Sequence, residues 1–220
     1  MKLDMHFHSQ FSDWTSDIET LVQWAQKKEL DFVALTDHDR VSDEFWELCK
    51  KYGITTTQSV EISAVNQYMN KSLHLTFYAR NIEWKIREIL DNVLEKKREL
   101  MQKQIVWFQN IWCEITYDDV VNFVKKFSRS ETWMNKYDIV RTLYLSDKNY
   151  QIIRQLNDGI DLSVEEFYMK YLKKWGEKFE EFASKIQDYE VKMEDTHEAV
   201  TTNNWILSIA HPNFTFRNWI

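Results

Sequence analysis

The sequence predicts an α/β fold in which a core of strands and helices is interrupted by a large helical insertion. Residues 1–80 alternate between strand-like and helix-like segments, which is typical of a parallel sheet or barrel. Residues 81–190 contain almost no strand signal, whereas residues 191–220 return to the first pattern. We therefore expect a core formed by residues 1–80 and 191–220, and an insertion that serves as a cap or substrate subdomain.

Composition and charge narrow the classes of function. The chain has 220 residues, of which 44% are hydrophobic and 29% charged, as expected for a globular protein. A net charge of −7 argues against a dedicated nucleic-acid-binding protein, which would carry a basic surface. No apolar run reaches the roughly 20 residues that span a membrane. Two distant cysteines, Cys49 and Cys113, indicate a reducing compartment, so we expect a cytoplasmic protein.

The first strand and helix are predicted from periodicity and capping. Leu3, Met5 and Phe7 share one face of the strand, and Asp4, His6 and His8 share the other. A helix over residues 17–28 follows. Ser16, with Glu19 three residues later, predicts a capping box at its start.

The next elements have the same character. The segment DFVALTDHD is an apolar run that ends in polar residues, which suits a strand buried on both faces. Ser42 is expected to cap the following helix and Gly53 to end it. Two strand-like segments, ITTTQSVEIS and SLHLTFYA, complete this part. The ten tryptophans lie largely in helical segments and are expected in the core or at an interface.

Histidines are concentrated in the predicted strands or at their carboxyl ends. This holds for five of the six histidines, namely His6, His8, His38, His74 and His211. Sites of parallel α/β folds gather at that edge. Five carboxylates accompany the histidines, namely Asp4, Asp13, Asp37, Asp39 and Glu61. Imidazole with carboxylate is a ligand set for zinc, manganese or iron. A single such histidine is more often structural, and Asp37 and Asp39 could simply form a turn, but the whole set favours a shared metal site.

The order of these residues resembles the polymerase-and-histidinol-phosphatase (PHP) superfamily. The matching segments are DMHFHSQFSD, ALTDHD, SVEIS, HLTFYA and AHP, in that order. The insertion, through NKYDIVRTL, further resembles the TrpH/YciV-like nucleoside-phosphate phosphatase branch. This resemblance implies a distorted barrel of seven β/α units. Trp14 is a departure, because the family usually has glycine there.

The resemblance also implies ligands for up to three divalent ions, such as Mn, Zn, Fe or Mg. His6 and His8 would bind the first ion, Asp13 and His38 the second, and Glu61 would bridge. His74 and His211 would complete the third. In the family such ions activate a water molecule for attack on a phosphate ester. The implied partner is therefore a small phosphorylated substrate.

Two cations of the insertion are candidates for binding a second phosphate or the leaving portion of the substrate. They are Lys136 and Arg141 in NKYDIVRTL. The related branch has arginine at the position of Lys136 and histidine at that of Asp138. Lysine cannot bind phosphate through two parallel hydrogen bonds, as arginine does. The substrate class therefore remains open.

The family pattern also predicts a late Asp-x-His, which the sequence lacks after His211. We therefore expect a C-terminally incomplete barrel, which favours a partner or an oligomer that covers the open edge, or a chain that is a fragment. Asp195 and His197 have the spacing but precede the AHP segment. The expected function is a phosphoesterase acting on a small phosphorylated nucleoside or sugar. The alternatives are a 3′–5′ exonuclease and a non-catalytic binding module.

Overall fold

Two units make up the chain. One comprises Met1–Glu95 together with Tyr189–Ile220, and the other comprises Lys96–Asp188. The computed structural model describes residues 1–66, 68, 71–127, 129, 134–173, 177, 191–196 and 205–211. His197, the last residue of the Asp195–His197 pattern, lies outside these residues.

A parallel sheet begins the first unit. Its strands are β1 (Leu3–Phe7), β2 (Phe32–Leu35) and β3 (Thr55–Thr56), in that order. Two helices, α1 (Ile18–Lys27) and α2 (Asp43–Lys51), connect the strands, as the alternating pattern predicts. Since the strands are parallel, the residues that follow β1 and β2 lie at the same edge of the sheet.

The start of α1 differs from the prediction. Its N-cap is Asp17 rather than Ser16, because the Asp17 carboxylate accepts a hydrogen bond from the backbone N–H of Thr20 at 2.8 Å. The predicted capping box of Ser16 and Glu19 is therefore wrong, and the helix begins one residue later than that box implies. Leu21, at the fourth position of the helix, is only partly buried.

Both predicted ends of α2 are confirmed. The Ser42 hydroxyl accepts a hydrogen bond from the backbone N–H of Phe45 at 3.2 Å. Gly53 follows the helix with a φ of +71°, in the left-handed region that glycine adopts without strain.

A second sheet is mixed, although the sequence pattern predicted parallel strands. It contains β4 (Gln58–Asn66), β5 (Lys71–Ala79), β6 (Val191–Lys192) and β7 (Ile206–Ile209), in the order β6-β4-β5-β7. The β4–β5 and β5–β7 pairs are antiparallel, and the β4–β6 pair is parallel. The chain has only residues 67–70 between β4 and β5, which is too short for the helix of a parallel crossover.

The two sheets meet where β2 ends. Here His38 and Glu61 form a parallel bridge. The backbone N–H of Asp39 donates to the carbonyl of Glu61 at 2.8 Å, and the N–H of Glu61 donates to the carbonyl of Asp37 at 3.1 Å. This bridge brings the polar end of β2 beside the middle of β4. A closed barrel of seven β/α units remains a prediction.

The described apolar side chains of the first unit form two clusters. The cluster between the parallel sheet and its helices includes Ile18, Val22, Val33, Leu35, Phe45 and Cys49. The cluster against the second sheet includes Val60, Ile62, Leu75, Phe77, Ile82, Ile86 and Leu90. The last three residues were expected in the insertion. They pack against β4 and β5 instead, so the first unit extends beyond residue 80.

Every regular element described in the second unit is a helix. Its helices are α3 (Trp84–Asn110), which contains the boundary between the units, α4 (Tyr117–Lys125), α5 (Lys136–Leu143), α6 (Asp147–Leu156) and α7 (Val164–Phe167), followed by the π-helical turn Tyr168–Leu172. They enclose a core that includes Phe108, Val120, Ile139, Leu143, Ile153, Phe167 and Leu172. None of the described helices has the length and apolar character needed to cross a membrane.

Candidate metal centre

The structure brings the seven predicted ligands together in the first unit. His6 lies in β1, Glu61 in β4 and His74 in β5. The other four residues follow strands in the chain, and they are His8, Asp13, His38 and His211. Period two in β1 places the rings of His6 and His8 on one side, with their Nε2 atoms 3.2 Å apart.

Glu61 is the centre of the cluster. Its side chain is fully buried, yet four imidazole nitrogens surround its carboxylate. His6 Nε2 and His8 Nε2 lie 2.9 and 3.2 Å from Oε2. His74 Nδ1 and His211 Nε2 lie 2.8 and 3.7 Å from Oε1. The sequence left open whether Glu61 is an exposed strand residue, and the structure excludes this alternative.

Asp13 is a second carboxylate of the cluster, and it lies near His8 and His38. One of its oxygens lies 3.5 Å from His8 Nδ1, and the other lies 3.7 Å from His38 Nε2. The rings of His8 and His38 stack with their centroids 4.7 Å apart. Burial alone would raise the pKa of Asp13, but the nearby imidazoles of His38 and His8 lower it to about 2. Asp13 is therefore an anion at neutral pH.

Three overlapping groups of side chains have the spacing of metal ligands. They are His6 with His8 and Glu61, His8 with Asp13 and His38, and His38 with Glu61 and His74. In each group the ligand atoms lie within 4.8 Å of one another. His211 lies beside them, with its ring centroid 4.8 Å from that of His6. The overlap is compatible with adjacent ions that share ligands, but the role of each residue as a ligand stays a prediction.

The Glu61 carboxylate supports a metal site more specifically than the spacing does. Both its oxygens are buried, and neither accepts a hydrogen bond of suitable geometry, although ring nitrogens lie within 2.8–3.2 Å. The nitrogens therefore converge near the carboxylate without the geometry of a hydrogen bond. Burial alone would raise the pKa of Glu61, but the contacts with His6, His74 and His8 lower it far below its usual range. A buried anion among imidazoles fits a divalent cation.

Comparison with known families gives the identity of the fold. The sequence model of the PHP domain matches residues 4–194, which include every candidate ligand except His211. The chain belongs to the PHP domain family.

Two solved structures have folds similar to this PHP domain. A candidate metal-dependent phosphoesterase from Bifidobacterium adolescentis is 21% identical, with a TM-score of 0.66, and the alignment covers 96% of this chain and 66% of that chain. An amidohydrolase from Chromobacterium violaceum, with bound sulfate and no metal, is 18% identical, with a TM-score of 0.67 and coverages of 97% and 68%. The chain thus spans about two thirds of the length of both. A comparison with curated proteins found no match.

Asp37 directly precedes the candidate ligand His38 in this PHP domain, and its side chain is fully buried. Its carboxylate accepts hydrogen bonds from the backbone N–H and the hydroxyl of Ser9, both at 2.6 Å, and from the hydroxyl of Ser12 at 2.9 Å. The loop after β1, which contains His8, is thereby tied to the end of β2.

Asp39 has a similar role one position beyond His38. It accepts hydrogen bonds from the backbone N–H and the hydroxyl of Ser63, both at 2.8 Å. Its φ of +53° lies in the left-handed region, which aspartate tolerates better than most residues. The alternative that Asp37 and Asp39 merely form a turn is therefore incomplete. Sequence reasoning gave no role to Ser9, Ser12 and Ser63, although the segments DMHFHSQFSD and SVEIS that carry the family resemblance contain them. Their hydrogen bonds to Asp37 and Asp39 become visible only in the fold.

A cavity of about 640 Å³ adjoins the candidate ligands. Its lining includes four candidate ligands, namely His6, His8, Asp13 and His211, together with Trp14, Leu21 and Trp24. Trp14 and Trp24 are 57% and 47% exposed. The expectation was a position in the core or at an interface. The core is excluded for these two tryptophans, and an interface position stays a prediction.

The two predicted phosphate-binding cations lie on α5, in the helical unit. Lys136 donates a hydrogen bond from Nζ to the carbonyl of Leu172 at 2.5 Å, and burial lowers the pKa of its ammonium group. The Arg141 guanidinium lies 5.3 Å from the ring centroids of both Phe123 and Phe127. Binding of a phosphate by either residue stays a prediction.

Proposed function

We propose that the protein is a metal-dependent phosphoesterase that hydrolyses a phosphate ester of a small molecule, such as a phosphorylated nucleoside or sugar. The observation that carries this proposal is the buried Glu61 carboxylate, with imidazole nitrogens of four histidines within 3.7 Å. Membership of the PHP domain family and the name of the Bifidobacterium adolescentis structure support the same activity. The fold alone would not, since one fold hosts many reactions.

The residues around Glu61 would have distinct roles in this activity. The three ligand groups would hold up to three divalent ions, with Glu61, His8 and His38 each belonging to two groups. Bound divalent ions would lower the pKa of a coordinated water and offset the charge of the phosphate. Because Glu61 is buried, bulk water would not compete with a metal ion for its carboxylate. The bridge between β2 and β4 holds His38 and Glu61 in register.

The cavity beside the ligands favours a small substrate. Its volume of about 640 Å³ lies within the usual range of small-molecule sites. With the phosphate directed towards His6, His8 and Asp13, the leaving portion would lie against Trp14 and Trp24. Indole rings offer flat apolar faces, so between the two substrate classes a nucleoside fits better than a sugar.

Lys136 and Arg141 remain candidates for binding a second phosphate of such a substrate. Their side chains carry the positive charge that this role requires. Lys136 would act as a point charge, whereas Arg141 could form two parallel hydrogen bonds. Alanine at either position should raise KM for a bisphosphorylated substrate more than for a monophosphate.

Metal analysis is the decisive test. We expect the purified chain to bind two or three transition-metal ions, measured by elemental analysis after loading and desalting. The double variant His6→Ala/His8→Ala should lose metal and phosphatase activity while keeping its circular dichroism spectrum. A folded wild-type chain without bound metal and without activity in added manganese would overturn the proposal and favour a binding module.

Substrate comparison separates the enzyme classes. Phosphate release from 3′,5′-bisphosphonucleosides, glycerol phosphate and short oligonucleotides should be measured under the same metal conditions. We expect the 3′,5′-bisphosphonucleosides to release phosphate fastest. Activity on oligonucleotides alone would favour the exonuclease alternative, which the net charge of −7 disfavours.

A further inference from the structure

The hydroxyl of Ser12 lies between a candidate ligand and a buried carboxylate. Ser12 Oγ is 3.1 Å from His8 Nδ1, 2.9 Å from Asp37 Oδ1 and 3.4 Å from Asp13 Oδ1. Ser12 and Asp37 are both fully buried. In these surroundings each hydrogen bond requires a definite donor and acceptor, because water does not substitute for either.

Counting protons fixes the direction of these hydrogen bonds. A serine hydroxyl has one proton to donate, and a carboxylate oxygen accepts. Asp37 Oδ1 already accepts the backbone N–H of Ser9 at 2.6 Å, so this oxygen faces donors. The Ser12 proton therefore goes to Asp37, and the lone pairs of Ser12 Oγ face His8 Nδ1. Donation to Asp13 instead would leave the same lone pairs for His8.

We propose that Ser12, oriented by Asp37, holds His8 in the tautomer that is protonated at Nδ1, so that Nε2 presents an unprotonated lone pair for a metal ion. Ser12 and Asp37 are then positioning residues that act through His8. This inference rests on the proposed metal site for its functional meaning. The hydrogen-bond chain that supports it does not depend on a bound ion.

The tautomer also selects one of the overlapping ligand groups. His8 belongs to a group with His6 and Glu61 and to another with Asp13 and His38. Nε2 is the nitrogen near Glu61 Oε2, at 3.2 Å, whereas Nδ1 is the nitrogen near Asp13, at 3.5 Å. A proton on Nδ1 prevents coordination from that side, so His8 serves an ion through Nε2, near His6 and Glu61.

Nitrogen-15 NMR of the histidine rings tests the proposal in the metal-free protein. Spectra are recorded at a pH high enough that His8 is neutral, and its signals are assigned by their loss in His8→Gln. We expect wild-type His8 in the Nδ1–H tautomer and Ser12→Ala with a substantial Nε2–H population. A wild-type His8 protonated at Nε2 would overturn the proposal without any variant at Ser12.

Metal affinity gives the second measurement. Ser12→Ala should weaken binding of manganese or zinc by about 10- to 100-fold, as the loss of a group that orients a ligand typically does. Ser12→Thr keeps the hydroxyl and should restore most of the affinity. Ser59→Ala is the matched control, since Ser59 is also buried and donates one hydrogen bond, to the carbonyl of Leu35 at 2.7 Å.

The two measurements separate this inference from the proposed function. If no variant and no wild-type sample binds metal, the proposed function fails, while the tautomer result still decides the role of Ser12. If wild type binds metal but Ser12→Ala changes neither the tautomer nor the affinity, the inference is wrong and the proposed function stands. Equal losses in Ser12→Ala and Ser59→Ala would indicate general destabilisation and would also contradict the inference.

Discussion

Glu61 in the first unit and Asp138 in the second are both buried carboxylates, but their surroundings differ. Asp138 is 1% exposed and forms a two-pronged ion pair with Arg129, with N–O distances of 2.6 and 3.1 Å. It also accepts the backbone N–H of Asn135 at 3.1 Å and completes the capping box of α5. In the part of the chain that the structure describes, the nitrogens that contact the Glu61 oxygens belong to imidazole rings, and none is aligned as a hydrogen-bond donor.

The difference shows that burial of an acid does not by itself indicate a functional site. The partners of Asp138 account for its charge and lone pairs, so its burial has a structural explanation. The partners of Glu61 are themselves ligands for metals and do not complete its hydrogen bonding. A carboxylate whose neighbours are ligands rather than aligned donors is the feature that distinguishes a candidate metal site from an internal ion pair.

Isosteric amide variants of the two acids provide the strongest test of this contrast. Glu61→Gln should weaken metal binding by at least about 100-fold, because losing a direct ligand should exceed the 10- to 100-fold loss typical of supporting residues. Asp138→Asn should leave the bound metal per folded chain unchanged. Competition with a chelating dye measures both affinities, and equal losses in the two variants would contradict the contrast.

The free energy of unfolding should rank the same two variants in the opposite order. Asp138→Asn removes the charge that pairs with the half-buried Arg129, and we expect it to lower the free energy of unfolding by about 3 kcal/mol. Glu61→Gln in the metal-free protein should change this free energy less, because neighbouring imidazoles can release a proton, whereas the arginine beside Asp138 stays charged and unpaired. Urea unfolding followed by circular dichroism measures the two values. A larger loss in Glu61→Gln would mean that Glu61 is chiefly a structural residue.

The candidate ligands could be predicted from sequence because strand geometry makes their spacing informative. Period two places His6 and His8 on one side of β1. The carboxyl ends of parallel strands meet at one edge of the sheet, which brings His38 to the same place. The position of Glu61 follows from the β2–β4 bridge, a contact between residues distant in sequence. The sequence therefore identified Glu61 as a candidate without showing its burial.

Other features depend on contacts that no local pattern encodes. The antiparallel β4–β5 pair follows from the short connection after Asn66, which the alternation of strands and helices did not reveal. The cap of α1 moved from Ser16 to Asp17 because both residues are good caps and backbone geometry selected one. Ser12 acquires its role only when Asp37 is brought against it.

One buried cysteine in each unit allows metal binding to be assigned to a unit. Cys49 lies in the first unit and Cys113 in the second, and burial raises the pKa of their thiols to about 12 and about 11. Alkylation therefore requires local opening and a thiolate. Manganese at ten times its Kd should slow alkylation of Cys49 about ten-fold and leave Cys113 unchanged. Mass spectrometry follows both sites.

The double variant His6→Ala/His8→Ala serves as the control for that experiment. Manganese should not protect Cys49 in this variant, because the ion has lost two ligands. Equal protection of Cys49 and Cys113 in wild type would show that the two units open together. Protection of Cys113 alone would place the metal site in the helical unit and contradict its assignment to Glu61.

The smallest expected effect concerns the tryptophans of the cavity. Trp14→Ala should raise KM for a nucleoside phosphate about five-fold, since stacking of a base on an aromatic ring contributes about 1 kcal/mol or more. KM for glycerol phosphate, which has no ring to stack, should stay the same. Trp84→Ala is the control, because Trp84 is 67% exposed and does not line the cavity. A parallel rise for both substrates would indicate that Trp14 supports the ligand loop rather than the leaving portion, since it directly follows Asp13.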